Sequence, residues 1–248
     1  MDTLILTYHR VNDWSNDPLT VHPETFRQQL KSLKKRHRIV SLEELVSAKM
    51  KKADCKENLA AITFDDGYYD NYLFAFPILK ELSCPATFFL TVSYVGTDEL
   101  LPRDRKKGNL QKDRLMNWGE VLEMSEAGFE FGSHSSSHLN LTTAGPAEAK
   151  KEIAESRIFL EERLKKPVIF FCYPFGSYSP EVEKLVKEAG YKAAFVTQQF
   201  SKFNPIRGFL RNARRQEKAD PYALARVGIY HHTSLWQFRL KMRFRPAD

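Results

Sequence analysis

Short apolar runs alternate along this chain with longer stretches whose apolar positions recur at helical spacing. Residues 4–8, 59–64, 86–91, 129–134, 168–172 and 192–197 are apolar or alternating runs of strand length, and each reads as a β-strand. Between them lie helical patterns. Phe26, Leu30 and Leu33 share one face of a helix over residues 23–36, and Ser41 caps a second helix that runs through Val46. A third spans 71–81, with Pro77 kinking or restarting it. Others cover 118–127, stopped by Gly128, then 147–164 as an amphipathic helix, and 180–189, stopped by Gly190. Repeated strand-then-helix units predict an α/β fold with a mainly parallel sheet, open or closed into a barrel, whose chemistry gathers at the carboxyl ends of the strands. Residues 96–117 are charged, contain Gly108 and read as a long loop, a kind of segment that is often functional.

The strand ends carry the informative residues. Ile62-Thr63-Phe64-Asp65-Asp66-Gly67 closes one apolar run, and His134-Ser135-Ser136-Ser137-His138 closes another. Adjacent strand side chains point to opposite faces and a buried, unpaired carboxylate is costly, so two neighbouring Asp residues cannot both serve a core. Two imidazoles and a carboxylate around an open position form the pattern of catalytic zinc sites and of related Fe, Co or Ni sites. A spacing of four lets His134 and His138 reach one ion, either from a helical turn or from a loop bent back on itself. One Asp would then ligate and the other would take a proton from water acidified by the ion. Either motif alone is more often structural: Asp-Asp-Gly is an ordinary turn sequence. Their conjunction at strand ends is not. His9 and the turn Tyr173-Pro174-Phe175-Gly176 also follow predicted strands directly, so all these residues belong on one face.

Composition narrows the picture. The chain has 248 residues, 42% of them hydrophobic, and no linker, repeat or low-complexity tract, so one domain over residues 1–248 is expected. No apolar stretch is long enough to span a membrane, and no signal peptide is visible, so a cytoplasmic location is expected. Three separated cysteines argue against a disulfide framework, and Cys84 and Cys172 read as core residues. A formal charge of +7 suits an anionic partner, but no nucleic-acid motif accompanies it and nucleic acid is not expected as a partner. Trp236, Phe238, Leu240, Met242 and Phe244 alternate with Arg239, Lys241, Arg243 and Arg245, a pattern that fits terminal helix packing or peripheral contact with an anionic membrane surface. His22 and His37 read as surface residues.

Thr63-Phe64-Asp65-Asp66-Gly67, His134 to His138 and Tyr173-Pro174-Phe175-Gly176 together resemble the three motifs of the polysaccharide deacetylase family, carbohydrate esterase family 4, built on the chitooligosaccharide deacetylase homology domain. The resemblance implies a distorted (β/α) barrel with fewer than eight mainly parallel strands. It also implies metal-dependent removal of N-acetyl groups from an N-acetylhexosamine glycan or lipid-linked precursor, with release of acetate. By the same resemblance Asp66, His134 and His138 hold the divalent ion, Zn²⁺ first and Co²⁺, Ni²⁺ or Fe²⁺ next, and Asp65 is the general base. Tyr173, Pro174, Phe175 and Gly176 line the substrate, a backbone N–H near Phe175 stabilising the oxyanion.

Two departures stand out. Family members place an Arg at the start of the third motif to pair with the catalytic Asp, and here that position is Cys172, leaving Arg207, Arg211, Arg214 and Arg226 as unranked replacements. The Leu-x-x-His motif that supplies the general acid is absent as well. Leu6-Thr7-Tyr8-His9-Arg10-Val11 instead resembles the opening motif of bacterial poly-N-acetylglucosamine deacetylases, a branch with rearranged strand order, and makes His9 the acid in preference to His231, which sits in a polar turn. Two alternatives share the fold: hydrolysis of another amide, in peptidoglycan or a cyclic imide, and a non-catalytic glycan-binding protein, which the missing Arg favours.

Overall fold

The computed structural model describes residues 3–51, 57–106, 108–198 and 220–242. Seven parallel strands close into a barrel: β1 (Thr3–Tyr8), β5 (Leu59–Phe64), β6 (Thr87–Leu90), β7 (Glu130–Ser133), β8 (Phe170–Cys172), β9 (Ala193–Gln198) and β10 (Leu224–Gly228). β1 pairs with both β5 and β10, and that double pairing closes the ring. The barrel is distorted: β1 and β5 stay in register from Thr3↔Leu59 to Tyr8↔Phe64, whereas β7 meets β8 only at Ser133↔Phe171. The expected barrel of fewer than eight strands is what the chain forms. A further short strand, β4 (Arg38–Ile39), extends the sheet beside β5, and β2 (Arg10–Val11) and β3 (Thr20–Val21) pair apart from it.

Helices wrap the ring: α1 (Pro23–Lys34), α2 (Leu42–Met50), α3 (Phe76–Glu81), α4 (Leu110–Asp113), α5 (Trp118–Glu126), α6 (Pro146–Leu164), α7 (Pro180–Glu188) and α8 (Leu235–Lys241). Their caps match local sequence. Ser41 accepts from the Glu44 N–H, and Asn117 with Glu120 forms a reciprocal capping box. A π-helical turn at Asn71–Ala75 precedes α3, so Pro77 falls in the first turn of a new helix and interrupts nothing. Among the described residues of the charged stretch 96–117, only α4 is helical.

Strand alternation sorts the apolar residues into two layers. Leu4, Leu6, Tyr8, Ala60, Ile62, Phe64, Phe88, Phe171 and Ala194 pack outward under the helices. Ile5, Leu59, Ala61, Phe89, Phe170, Cys172, Phe195 and Leu224 point inward, where Leu42, Leu45 and Val46 of α2 join them. The interior is a packed core, and the polar side chains gather at the rim where the strands end.

Some expectations change. His37 is buried, not on the surface, whereas His22 is exposed and caps α1 by accepting from the Glu24 N–H. On α8 and at its C-cap, Phe238 and Met242 are buried in the outer core, and of the described apolar residues there Trp236 alone is widely exposed, at 69%. Phe238 and Met242 are thus helix packing. Arg243, Phe244 and Arg245 lie outside the described residues. Among the described residues no helix is long and apolar enough to cross a membrane. The two-residue strands are too short to show alternation, and β10 carries Arg226 in mid-run, which hides its strand pattern.

Gly132 leaves the space that Phe89 fills: a Cβ there would lie 2.5 Å from the ring and 3.0 Å from the Phe170 carbonyl. Gly132→Ala is expected to cost about 1–3 kcal/mol by overpacking. Urea unfolding checks this, and an unchanged midpoint would show that the ring has room to move.

Candidate active site

Strand parity decides which side chains enter the barrel mouth. In β5, Leu59 and Ala61 face inward, so Thr63 and Asp65 continue that row, and Asp66 would by the same count turn outward. It does not. Asp66 adopts φ 72°, a left-handed conformation uncommon outside glycine, and Gly67 at φ 87° continues the turn. The rule that adjacent carboxylates diverge holds for regular strand, and this turn lifts it. The other groups arrive from neighbouring strand ends: His9 after β1, His134 after β7, Cys172 at the end of β8 and Arg226 within β10. Backbone bonds from Asp65 N–H to the Tyr8 carbonyl (3.0 Å) and from His134 N–H to the Leu90 carbonyl (2.9 Å) carry the sheet pattern one step past the strands.

Asp66, His134 and His138 converge. The Nε2 atoms of His134 and His138 lie 3.4 and 3.3 Å from Asp66 Oδ1, a buried oxygen that accepts no hydrogen bond of normal geometry. His134 Nδ1 is 2.8 Å from the Cys172 carbonyl, which can only accept, so Nδ1 carries the proton and the Nε2 lone pair is turned toward the carboxylate. Facing acceptors repel unless a proton or a cation sits between them. Metal–ligand bonds of about 2.0–2.1 Å meeting at a tetrahedral angle separate their donor atoms by about 3.3 Å. The donor set and its spacing therefore fit a divalent cation. Burial by itself would raise the Asp66 pKa, but the two imidazoles hold it well below the carboxylate range. His134 moves the other way, raised by Cys172 and the Asp66 carboxylate against the effect of burial.

The loop that carries the two histidines is no helix. Ser135 (φ 65°) and His138 (φ 61°) are both left-handed. The bend is held by Ser133 Oγ accepting from Ser135 N–H, Ser135 Oγ accepting from His138 N–H, and Glu152 of α6 accepting from both the N–H and the hydroxyl of Ser137. The serines between the histidines are the turn chemistry that brings them together.

Asp65 lies beside this triad and is held by Arg226. Nη1 meets Oδ1 and Nη2 meets Oδ2, each at 2.7 Å, a two-pronged contact of a wholly buried guanidinium with a buried carboxylate. Thr63 Oγ1, Thr197 Oγ1 and Cys172 Sγ take further guanidinium contacts at 3.1, 2.8 and 2.9 Å. Burial would raise the Asp65 pKa, and the charges of Arg226 and His134 bring it below its ordinary value. Of the four arginines open as partners, Arg226 is the one that pairs with Asp65, and Arg207, Arg211 and Arg214 lie outside the described residues. The signal in sequence was a charge set in a short apolar run, Leu224-Ala225-Arg226-Val227.

His9 Nε2 lies 3.8 Å from Asp65 Oδ2, with Tyr230 stacked 6.5 Å from its ring. Burial lowers its pKa and wins over the opposing pull of Asp66 and Asp65. His231 is exposed, its backbone N–H on the Pro18 carbonyl. Within the third motif, Tyr173 and Pro174 are buried, and the Tyr173 hydroxyl donates to the Tyr222 carbonyl. Phe175 is 56% exposed, with φ 60° and its ring 4.6 Å from that of His138, so contact at the mouth falls to Phe175 and not to Tyr173. Sequence reasoning missed Asp70, a buried carboxylate that gathers the chain just after His9.

The family model of polysaccharide deacetylases matches residues 52–194, more than half of the 248. YxkH of Bacillus subtilis (strain 168) is 27% identical over 195 residues, covering 78% of this chain and 64% of that protein. The poly-β-1,6-N-acetyl-D-glucosamine N-deacetylase of Staphylococcus aureus (strain MRSA252) is 27% identical over 190 residues, 73% of this chain and 62% of its own length. The chain thus spans a little under two thirds of these curated relatives. The solved structure of IcaB from Ammonifex degensii superposes with a TM-score of 0.78 at 22% identity over 98% of this chain and 97% of that one, a likeness of fold. With its barrel closed and its three motifs gathered at one rim, the chain belongs to the polysaccharide deacetylase family.

Proposed function

We propose that this protein is a metal-dependent N-deacetylase acting on an N-acetylhexosamine-containing glycan or glycolipid precursor, and that residues 1–248 form one such domain. The observation that carries the reading is the Asp66–His134–His138 donor set beside an Asp65 oriented by Arg226. Asp66, His134 and His138 would hold the cation, Zn²⁺ being favoured by two imidazoles and a carboxylate. When bound, a divalent cation there supplies polarisation of the acetamide carbonyl and acidification of a water molecule.

The chain's own groups do the rest. Asp65 keeps its charge beside Arg226 and takes the proton from the attacking water. A backbone N–H of the Phe175 turn faces the oxyanion that forms on the carbonyl. His9 delivers a proton to the departing amine, which leaves poorly without one. Its neighbour Asp65, 3.8 Å away, is the nearest ionised acceptor from which that proton can be recovered. Phe175, exposed beside His138, offers a ring face to a sugar. The name of the Staphylococcus aureus relative favours a β-1,6-linked N-acetylglucosamine polymer among the substrates. The lack of Arg at position 172 had favoured a glycan-binding protein without turnover; a partner for Asp65 in Arg226 supports the catalytic reading instead.

Acetate release from β-1,6-linked N-acetylglucosamine oligomers and from acetylated chitooligosaccharides, with Zn²⁺ or Co²⁺ added, tests the activity. Asp65→Asn is expected to keep the metal and lose turnover by about 100-fold or more, the scale of a general base. Asp66→Ala is expected to lose the bound metal, read by elemental analysis after dialysis; full activity of Asp65→Asn would overturn the base assignment. Arg226→Met leaves Asp65 buried without its cation, so a loss of about 3–5 kcal/mol in unfolding free energy is expected, together with loss of turnover. Wild-type stability in that variant would show that Asp65 finds another partner.

A further inference from the structure

His9 stands beside Asp65, yet no hydrogen bond holds its ring. Nδ1 is buried without a partner among the described residues, and Tyr230 offers a ring face only. The placement of the imidazole is therefore set through the main chain, and the bonds that set it are specific. The His9 carbonyl accepts from Asn71 Nδ2 at 2.8 Å. Asn71 Nδ2 also donates to Asp70 Oδ1 at 3.0 Å, and the same oxygen accepts from the Val11 N–H at 3.0 Å. Asp70 Oδ2 accepts from Arg10 Nε and Asn12 Nδ2, both at 2.8 Å. One carboxylate with no solvent exposure thus takes four donors, three of them from the residues directly after His9.

The elements behind these bonds are built for it. Asp70 and Asn71 open the π-helical turn Asn71–Ala75, an irregularity that recurs at functional sites. Asp70 lies five residues after Asp65, so one stretch of chain carries both the carboxylate at the site and the one that holds His9 facing it.

We propose that Asp70, acting with Asn71, is a positioning residue that fixes His9 at its distance from Asp65 through the His9–Asn12 main chain. This rests on His9 being the group that protonates the leaving nitrogen. A positioning role of this kind affects only the step that needs His9. An amide nitrogen must be protonated to leave; a nitrophenolate leaves unaided.

The test compares Zn²⁺-loaded variants on an N-acetylglucosamine oligomer and on 4-nitrophenyl acetate. His9→Ala is expected to lose about 100-fold or more in kcat on the amide and far less on the ester. Asp70→Asn and Asn71→Ala should lower amide kcat by about tenfold, a fraction of the general-acid effect, with KM and zinc content held and ester turnover largely kept. In the His9→Ala background, Asp70→Asn should add little, because residues acting through one group are not additive. Arg10 still pairs with Asp113 at 2.6 Å and lies over the Tyr68 ring, so Asp70→Asn does not strand its charge; if it fails to fold, Asn71→Ala decides. Equal losses on amide and ester, wild-type amide turnover in both variants, or an undiminished Asp70→Asn effect without His9 would overturn the proposal. Wild-type amide turnover by His9→Ala would instead remove the acid assignment on which it stands.

Discussion

The guanidinium of Arg226 sits inside the barrel with no exposure to solvent, and a buried unit charge is tolerable only when another group answers it. Asp65 answers with both oxygens. The pair ties β10 to β5 past the strand between them, and the contacts to Cys172 and Thr197 extend the tie to β8 and β9. Most of the barrel interior is apolar, so this polar knot has one place to form, just below the rim. The carboxylate that faces the site is thereby fixed in direction and kept ionised by the charge that closes the barrel.

Around that knot the backbone departs from regular geometry wherever a functional side chain must be turned. Asp66, Ser135, His138 and Phe175 all have positive φ, and among the described non-glycine residues only Ser83 and Lys165 share that feature elsewhere. Each such residue costs of order 1 kcal/mol and persists because neighbouring bonds over-determine it. Gly67 N–H to the Asp65 carbonyl, the serine bonds of the histidine loop and its attachment to Glu152 are those bonds. Strain and chemistry coincide because regular strands alone would send Asp66 away from His134.

Much of this was legible in the chain itself. The apolar runs before the site residues show in sequence, and Asp65, Asp66, His134 and His9 stand directly after them, where a parallel barrel exposes its ends, with His138 four residues beyond His134. What stayed hidden was whatever depends on contacts between distant segments. Arg226 is one arginine among four, because a charge in the middle of its strand breaks the apolar pattern. Asp70 and Asn71 looked like an ordinary polar opening to a helix, since nothing local says that their partners are sixty residues upstream. His37 was misplaced for the same reason: an imidazole next to Arg36 and Arg38 looks solvated until the fold covers it. The motif alone makes Tyr173 line the substrate, yet its position directly after β8 turns it under the helices.

The lateness of Arg226 in the chain has a consequence for biosynthesis. The carboxylate–imidazole triad draws on the chain only as far as Cys172, whose carbonyl orients His134, but the carboxylate beside it stays without its cationic partner until the last barrel strand has been translated and docked. The buried ion pair is therefore among the last contacts of the barrel to form, and a truncation ahead of residue 224 would leave the Asp65 carboxylate without the guanidinium that orients it.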